Sequence, residues 1–220
     1  MVKGFSNGVY LITDRHQANG RSLTTVVEAA LQGGVKAVQL REKDLSAKEL
    51  FELARRMRDL TKQYGARLFI NDRLDIALAV EADGVHLGQN SFNPKDVREI
   101  LDGSQFTIHS SRLLIGVSTH SLAEARKAEE EGADFITIGP VFYTASKAGY
   151  GRPLGVEIIK SVKEAVKIPV FAIGGIKLDT VSEVAAAGAD GIAVISAIIG
   201  AKEPGIAAKD LLQAINKSKQ

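Results

Sequence analysis

Along this chain, short runs of β-branched and aliphatic residues alternate with longer stretches whose apolar residues recur every three or four positions. The runs are 8–13 (GVYLIT), 37–41 (AVQLR), 68–72 (LFIND), 84–88 (GVHLG), 114–119 (LIGVST), 135–140 (FITIGP), 169–175 (PVFAIGG) and 191–196 (GIAVIS). Nearly continuous apolar character over a handful of residues is what a strand covered on both faces requires. Between the runs, segments such as 47–64 and 121–131 keep their charges on one side, as amphipathic helices do.

Three helix-to-strand junctions are near-repeats: 81–85 (EADGV), 131–136 (EGADFI) and 187–192 (AGADGI), with a fainter echo at 33–38 (GGVKAV). Two of the three carry a glycine suited to a helix C-terminus, and all three place a small residue and an aspartate in a tight turn. A repeated helix–turn–strand unit makes the strands parallel. Eight of them in 220 residues predict an α/β fold, a TIM (β/α)8 barrel, as a single domain over residues 1–220. The rival is an open, doubly wound sheet. It would carry a G-x-G-x-x-G turn after its first strand, where this chain has Thr13-Asp14-Arg15-His16. The polar stretch 102–113 is longer than such a turn needs and fits no pattern.

Composition narrows the class. Hydrophobic residues make up 45% and charged residues 25%, enough for a large core. With 28 basic and 26 acidic residues, the chain lacks the basic excess that a nucleic-acid or membrane surface needs. There is no cysteine, so disulfides, thiolate metal sites and cysteine nucleophiles are excluded. Residues 1–8 lack a signal-peptide core, and the most apolar stretch, 191–200, is half a membrane span and reads as a buried strand with its turn. A cytoplasmic setting follows as the expectation, with small phosphorylated molecules as partners and a homo-oligomer left open.

Barrel enzymes do their chemistry where the strands end and the βα loops converge. Here polar residues gather at those ends. After the second run come Gln39, Leu40, Arg41, Glu42 and Lys43. Alternation sends Gln39 and Arg41 to one side, and two cations with an amide suit a diphosphate; a self-paired surface charge run is the alternative. Asn71 and Asp72 end the third run. Asp72 is either the cap of the helix over 73–80 or a carboxylate for Mg²⁺. His86 reads as a hydrogen-bonded barrel residue, Ser121 as a helix cap, and Ser118 and His120 as groups facing the mouth. Loop 139–147, with Thr144, Ala145, Ser146 and Lys147, suits a lid over substrate or a plain surface loop. Gly174-Gly175 after the seventh run, with Ile195 and Ser196 after the eighth, make the usual phosphate site of such barrels.

Seven segments in order, QLREK (39–43), IND (70–72), ADGVHLGQ (82–89), GVSTHS (116–121), GADFITIGPVFYTASK (132–147), IPVFAIGGI (168–176) and AGADGIAVISAI (187–198), resemble the thiamine phosphate synthase family along nearly the whole chain. The resemblance implies a transferase that joins hydroxymethylpyrimidine diphosphate to a thiazole phosphate, releasing pyrophosphate with Mg²⁺. It implies that Gln39, Leu40, Arg41, Glu42, Lys43, Asn71 and Ser118 bind the pyrimidine diphosphate, with Lys147 on the leaving pyrophosphate. Asp72 would hold Mg²⁺, and Thr144, Ala145, Ser146, Gly175, Ile195 and Ser196 the thiazole phosphate. One position departs: the family's second magnesium aspartate is Ser91 here. Ser91, the segment NSFNPKDVR (90–98) and STHS (118–121) resemble the sister thiazole tautomerases, in which a histidine matching His120 is implicated in proton transfer. A barrel that binds a thiamine precursor without turning it over is a third reading.

Overall fold

Burial on both faces selects the apolar runs as strands. The computed structural model describes residues 8–103, 113–144 and 152–218. Its strands are β1 (Val9–Ile12), β2 (Ala37–Leu40), β3 (Arg67–Asn71), β4 (Gly84–Leu87), β5 (Leu114–Thr119), β6 (Phe135–Ile138), β7 (Val170–Ile173) and β8 (Gly191–Val194). Each pairs in parallel with its sequence neighbours, and β8 pairs with β1, so the sheet is a closed barrel. The open-sheet rival is thereby excluded. β1, β2, β3 and β8 end before the polar residue that closes each sequence run, leaving Thr13, Arg41, Asp72 and Ser196 beyond the strands.

The outer ring is α1 (Leu23–Gln32), α2 (Ala47–Gln63), α3 (Leu74–Ala79), α4 (Pro94–Gly103), α5 (Leu122–Glu130), α6 (Glu157–Ala165), α7 (Val181–Ala186), the short α8 (Ser196–Ile199) and α9 (Pro204–Lys217). Ser46 and Glu49 form a reciprocal cap at the start of α2, and Ser121 caps α5 as its sequence predicts. Apart from Asp102, Gly103 and Leu113, the stretch 102–113 lies outside the described residues.

The near-repeats do two jobs. Gly132 and Gly188 take φ of 94° and 91° just past their helices, and Glu81 stands in the same left-handed turn at 51°. The aspartates then lock neighbouring strands. Asp83 accepts from the Leu68 amide (2.8 Å) and Arg58 (2.5 Å), Asp134 from the Ile115 amide (2.7 Å) and Arg98 (2.5 Å), and Asp190 from the Val170 amide (2.7 Å) and Lys163 (2.7 Å). Each carboxylate thus ties an amide in the first two residues of a strand to a helix cation. In the echo at 33–38 the aspartate's place falls to Lys36, which donates to the Tyr64 carbonyl at 2.7 Å.

Inside the barrel lies a plug of Tyr10, Phe69, Phe135 and Phe171. Register sets each beside a small residue: Tyr10 by Ala37, Phe69 by Gly84, Phe135 by Gly116 and Phe171 by Gly191. A Cβ on Gly84 would sit 2.5 Å from the Phe69 ring, and one on Gly116 or Gly191 would overlap its partner ring likewise. The rings meet edge to face, with centroids 5.4 Å apart for Tyr10–Phe69 and 5.3 Å for Phe69–Phe135. This plug fills the lower barrel, so a ligand has room only above it, where the loops are.

Candidate active site

The first two loops hold each other in place. Thr13, buried at the end of β1, donates to Glu42 Oε1 at 2.6 Å and accepts the Arg41 amide at 2.9 Å. The Arg15 amide bonds both Glu42 oxygens at 3.2 and 3.1 Å, and the Arg15 guanidinium reaches Glu42 at 3.2 Å and Asp44 at 2.5 and 2.6 Å. Glu42 is therefore an inward anchor only 4% exposed, and its side chain is committed to the loop itself. Its neighbours Arg41 and Lys43, past the end of β2, are half-buried and exposed. Neither forms an ion pair among the described residues, whereas Glu42 and Asp44 pair with Arg15. The self-paired charge run thus misses the two cations that matter. Leu40 is buried in the apolar shell between barrel and helices and borders the cavity beside this loop.

A cavity of about 260 Å³ opens beside this loop, lined by Lys43, Asn71, Asp72 and Arg73 among others. Asp72 does not cap α3; Arg73 occupies the cap position, and Asp72 sits in a left-handed conformation at φ 59°. That backbone twist turns its carboxylate to the mouth. Asn71 Nδ2 donates to Oδ2 at 2.7 Å, the Gly88 amide to Oδ1 at 3.3 Å, and the Ser91 hydroxyl also donates to Oδ1. Ser91 accepts the Gly88 amide at 2.7 Å as well. Among the described residues no group of three or more acidic or histidine side chains is gathered for a metal. A lone carboxylate still fits Mg²⁺, which takes few protein oxygens when a bound diphosphate supplies the others.

Across the barrel floor runs a polar chain. Gln39 Nε2 donates to the Tyr10 hydroxyl at 3.0 Å, that hydroxyl faces His86 Nδ1 at 3.3 Å, and His86 Nε2 meets Ser118 Oγ at 3.0 Å. Burial pushes the His86 imidazole down to about 3; the Asp72 charge opposes this and the Arg41 charge adds to it. His86 is thus the hydrogen-bonded barrel residue that the sequence suggests, and it is neutral. His120 is instead held by Glu124, whose Oε2 lies 3.2 Å from Nδ1 and accepts the His120 amide at 2.8 Å.

On the far side, the β6 loop is strapped to the β7 loop. The Val141 amide donates to the Ile173 carbonyl at 2.9 Å and the Phe142 amide to that of Gly174 at 3.0 Å. Gly174 and Gly175 take φ of 98° and 66°, and a Cβ there would strike Pro140 or the Tyr143 carbonyl, 2.6 and 2.5 Å away. Packing of the β6 loop on the β7 loop therefore accounts for both glycines before any ligand is considered. Ile195 is half-buried and leads into α8, which opens on the exposed Ser196. Thr144 is half-buried at the edge of the described loop, and Ala145, Ser146 and Lys147 lie outside the described residues.

Tyr10, Thr13 and Arg15 carry no site role in the sequence reading, although they set the floor and the β2 loop. The one available signal was a tyrosine and a threonine inside the otherwise aliphatic run 8–13.

A family model described as thiamine monophosphate synthase matches residues 9–198. Curated relatives include a Geobacter sulfurreducens protein, 54% identical over 93% of this chain and 92% of its own, and the thiamine-phosphate synthase of Moorella thermoacetica, 44% identical over 96% and 97%. Among solved structures, thiamine phosphate pyrophosphorylase from Pyrococcus furiosus superposes with a TM-score of 0.86 at 39% identity, covering 97% of both chains.

Proposed function

The chain belongs to the thiamine monophosphate synthase family and is a transferase of thiamine biosynthesis, and from that premise we propose how its barrel mouth divides the work. Residues 1–220 act as one barrel domain in the cytoplasm. No helix among the described residues is long and apolar enough to cross a membrane.

Arg41 and Lys43 receive the diphosphate of hydroxymethylpyrimidine diphosphate, with Asn71 beside them and Gln39 and Ser118 under the ring. Lys147 joins them on the departing pyrophosphate. Gly175, Ile195 and Ser196 take the thiazole phosphate on the opposite side of the ring of strands, with Thr144, Ala145 and Ser146 closing over it. Leu40 serves through its backbone, and Glu42 by holding Arg41 and Lys43 apart. The observation that carries this division is the buried anchoring of Glu42, which leaves Arg41 and Lys43 out of its loop's ion pairs, with Lys43 lining the cavity beside Asp72.

The reaction needs no side-chain nucleophile. As diphosphate leaves the pyrimidine methylene, negative charge grows on its oxygens and positive charge on that carbon. Arg41, Lys43 and Lys147 stabilise the first more strongly than the ground state, which is what accelerates the step. The pyrimidine's amino group delocalises the second. Asp72 would hold Mg²⁺, with Ser91 as its hydrogen-bonded neighbour, and the ion would neutralise part of the leaving group's charge.

The test is a coupling assay with both substrates over a Mg²⁺ series, alongside a crystal soaked with pyrophosphate. The expected result is Mg²⁺-dependent thiamine phosphate and an anion bound at Arg41 and Lys43. Thiazole isomerisation without the pyrimidine substrate, lost in His120→Ala, would support the tautomerase reading instead. An anion seated away from both cations would overturn the division of the mouth.

A further inference from the structure

The floor chain joins two groups assigned to the pyrimidine, Gln39 and Ser118, through two that no ligand can touch. Tyr10 is fully buried and His86 is 2% exposed, both walled by Phe135, with Phe69 and Phe171 around Tyr10. We propose that Tyr10 and His86 are positioning residues that hold His86 as its Nε2–H tautomer and so set the hydrogen-bond polarity the floor offers to a pyrimidine. This deepens the assignment of Gln39 and Ser118 above and rests on it.

The polarity follows from proton bookkeeping along the chain. A neutral imidazole has one donor nitrogen and one acceptor. Gln39 Nε2 spends a proton on the Tyr10 oxygen, so the Tyr10 proton is turned to His86 Nδ1. With Nδ1 accepting, the ring proton sits on Nε2 and is donated to Ser118 Oγ. Ser118 then turns its own proton up toward the mouth, and Gln39 keeps its carbonyl oxygen and its second amide proton to offer. Tyr10 is fully buried and His86 is 2% exposed among the aromatic rings, so water does not reach the relay to scramble the pattern.

The floor therefore presents a fixed donor at Ser118 and, at Gln39, an acceptor oxygen beside a remaining amide N–H. That pair complements a heterocycle with an amino donor and a ring-nitrogen acceptor, which an aminopyrimidine has. An oxo-pyrimidine, which offers a carbonyl oxygen and a ring N–H, would set its ring N–H against the donor that the relay fixes at Ser118. Mismatched buried polar groups are where binding discrimination is large. The relay is thus a specificity device for amino over oxo pyrimidines.

Histidine ¹⁵N spectra of the active, unmodified protein read the tautomer directly. The expected signal for His86 is a neutral ring protonated on Nε2, and Tyr10→Phe should release it into a mixture of tautomers. Tyr10→Phe keeps the ring contacts and removes one oxygen, so it isolates the relay. In that variant the preference for the aminopyrimidine diphosphate over its oxo counterpart, measured as a ratio of kcat/KM, should fall about tenfold. In a Ser118→Ala background the same change should cost clearly less. A ring protonated on Nδ1, or an unchanged amino-to-oxo ratio in Tyr10→Phe, would overturn the proposal. Gln39→Ala and Ser118→Ala enzymes with an unaltered KM for the pyrimidine substrate would instead sink the site assignment beneath it.

Discussion

Ser91 donates its hydroxyl proton to the Asp72 carboxylate, and through the Gly88 amide at 2.7 Å it holds that carboxylate against the start of the β4 loop. A serine at this place positions a single metal-ligand candidate without adding charge. Ser91→Asp would set a second carboxylate beside the first. We expect the Mg²⁺ concentration for half-maximal activity to fall about tenfold. Without the ion the variant should melt lower than the parent, because the two carboxylates then repel each other. A Mg²⁺ titration of turnover, paired with melting curves with and without the ion, checks both. An unaltered titration would mean that position 91 does not face the metal.

Lys43→Ala should lower kcat by about 10²–10³-fold, since it removes one fixed cation from the departing diphosphate. Lys147→Ala should do the same. Melting temperature should hardly change for Lys43→Ala, because Lys43 is exposed and outside every ion pair among the described residues. Steady-state kinetics with calorimetric melting separates the two effects.

Gly116→Ala should destabilise the fold by about 3 kcal/mol, because the new methyl overlaps both the Phe135 and His86 rings. Phe135→Leu in the same molecule should recover part of that loss by opening the plug. Urea unfolding of the single and double variants measures the recovery, and strict additivity would refute the pairing.

Asp83→Ala should cost about 2 kcal/mol, because it strips the Leu68 amide and Arg58 of their shared acceptor. Asp83→Asn, which keeps an oxygen for the amide, should cost less. Comparable urea midpoints for the two would show that the ion pair, and not the strand amide, carries the stabilisation.

His86 also predicts an acid sensitivity. Its folded value, about 3, lies below the ordinary histidine value of 6.5, so the unfolded chain binds the proton first as pH falls. Stability attributable to this group is complete above about pH 6.5 and is lost as pH drops toward 3, at about 1.4 kcal/mol per pH unit. Urea midpoints between pH 6.5 and 5 should therefore fall more steeply for the parent than for His86→Gln. Parallel slopes would contradict a neutral, buried ring.

The barrel was legible because its signals are local. Eight aliphatic runs, the junctions at 81–85, 131–136 and 187–192, and the polar strand ends each depend on neighbours a few residues away. The same periodicity put Gln39 and Arg41 on one side, with Lys43 following in the loop. What the periodicity does not carry is where a side chain goes once distant segments meet. Glu42 reads as one more charge in Arg-Glu-Lys-Asp, yet Thr13 and Arg15, 29 and 27 residues earlier, pull it inward. Asp72 reads as either a helix cap or a carboxylate for Mg²⁺, and only its left-handed backbone, with its bonds to Ser91 and Gly88, removes it from the cap position.

Sequence alone determined that this chain closes eight parallel strands and presents cations, a carboxylate and glycines at their ends, since strand burial and alternation are set by adjacent residues. Tertiary structure alone decided that Gly174 and Gly175 make room for the β6 loop, and that Tyr10 and His86 link Gln39 to Ser118. Those contacts join residues up to 76 positions apart, and only the closed ring of strands brings them within hydrogen-bonding distance.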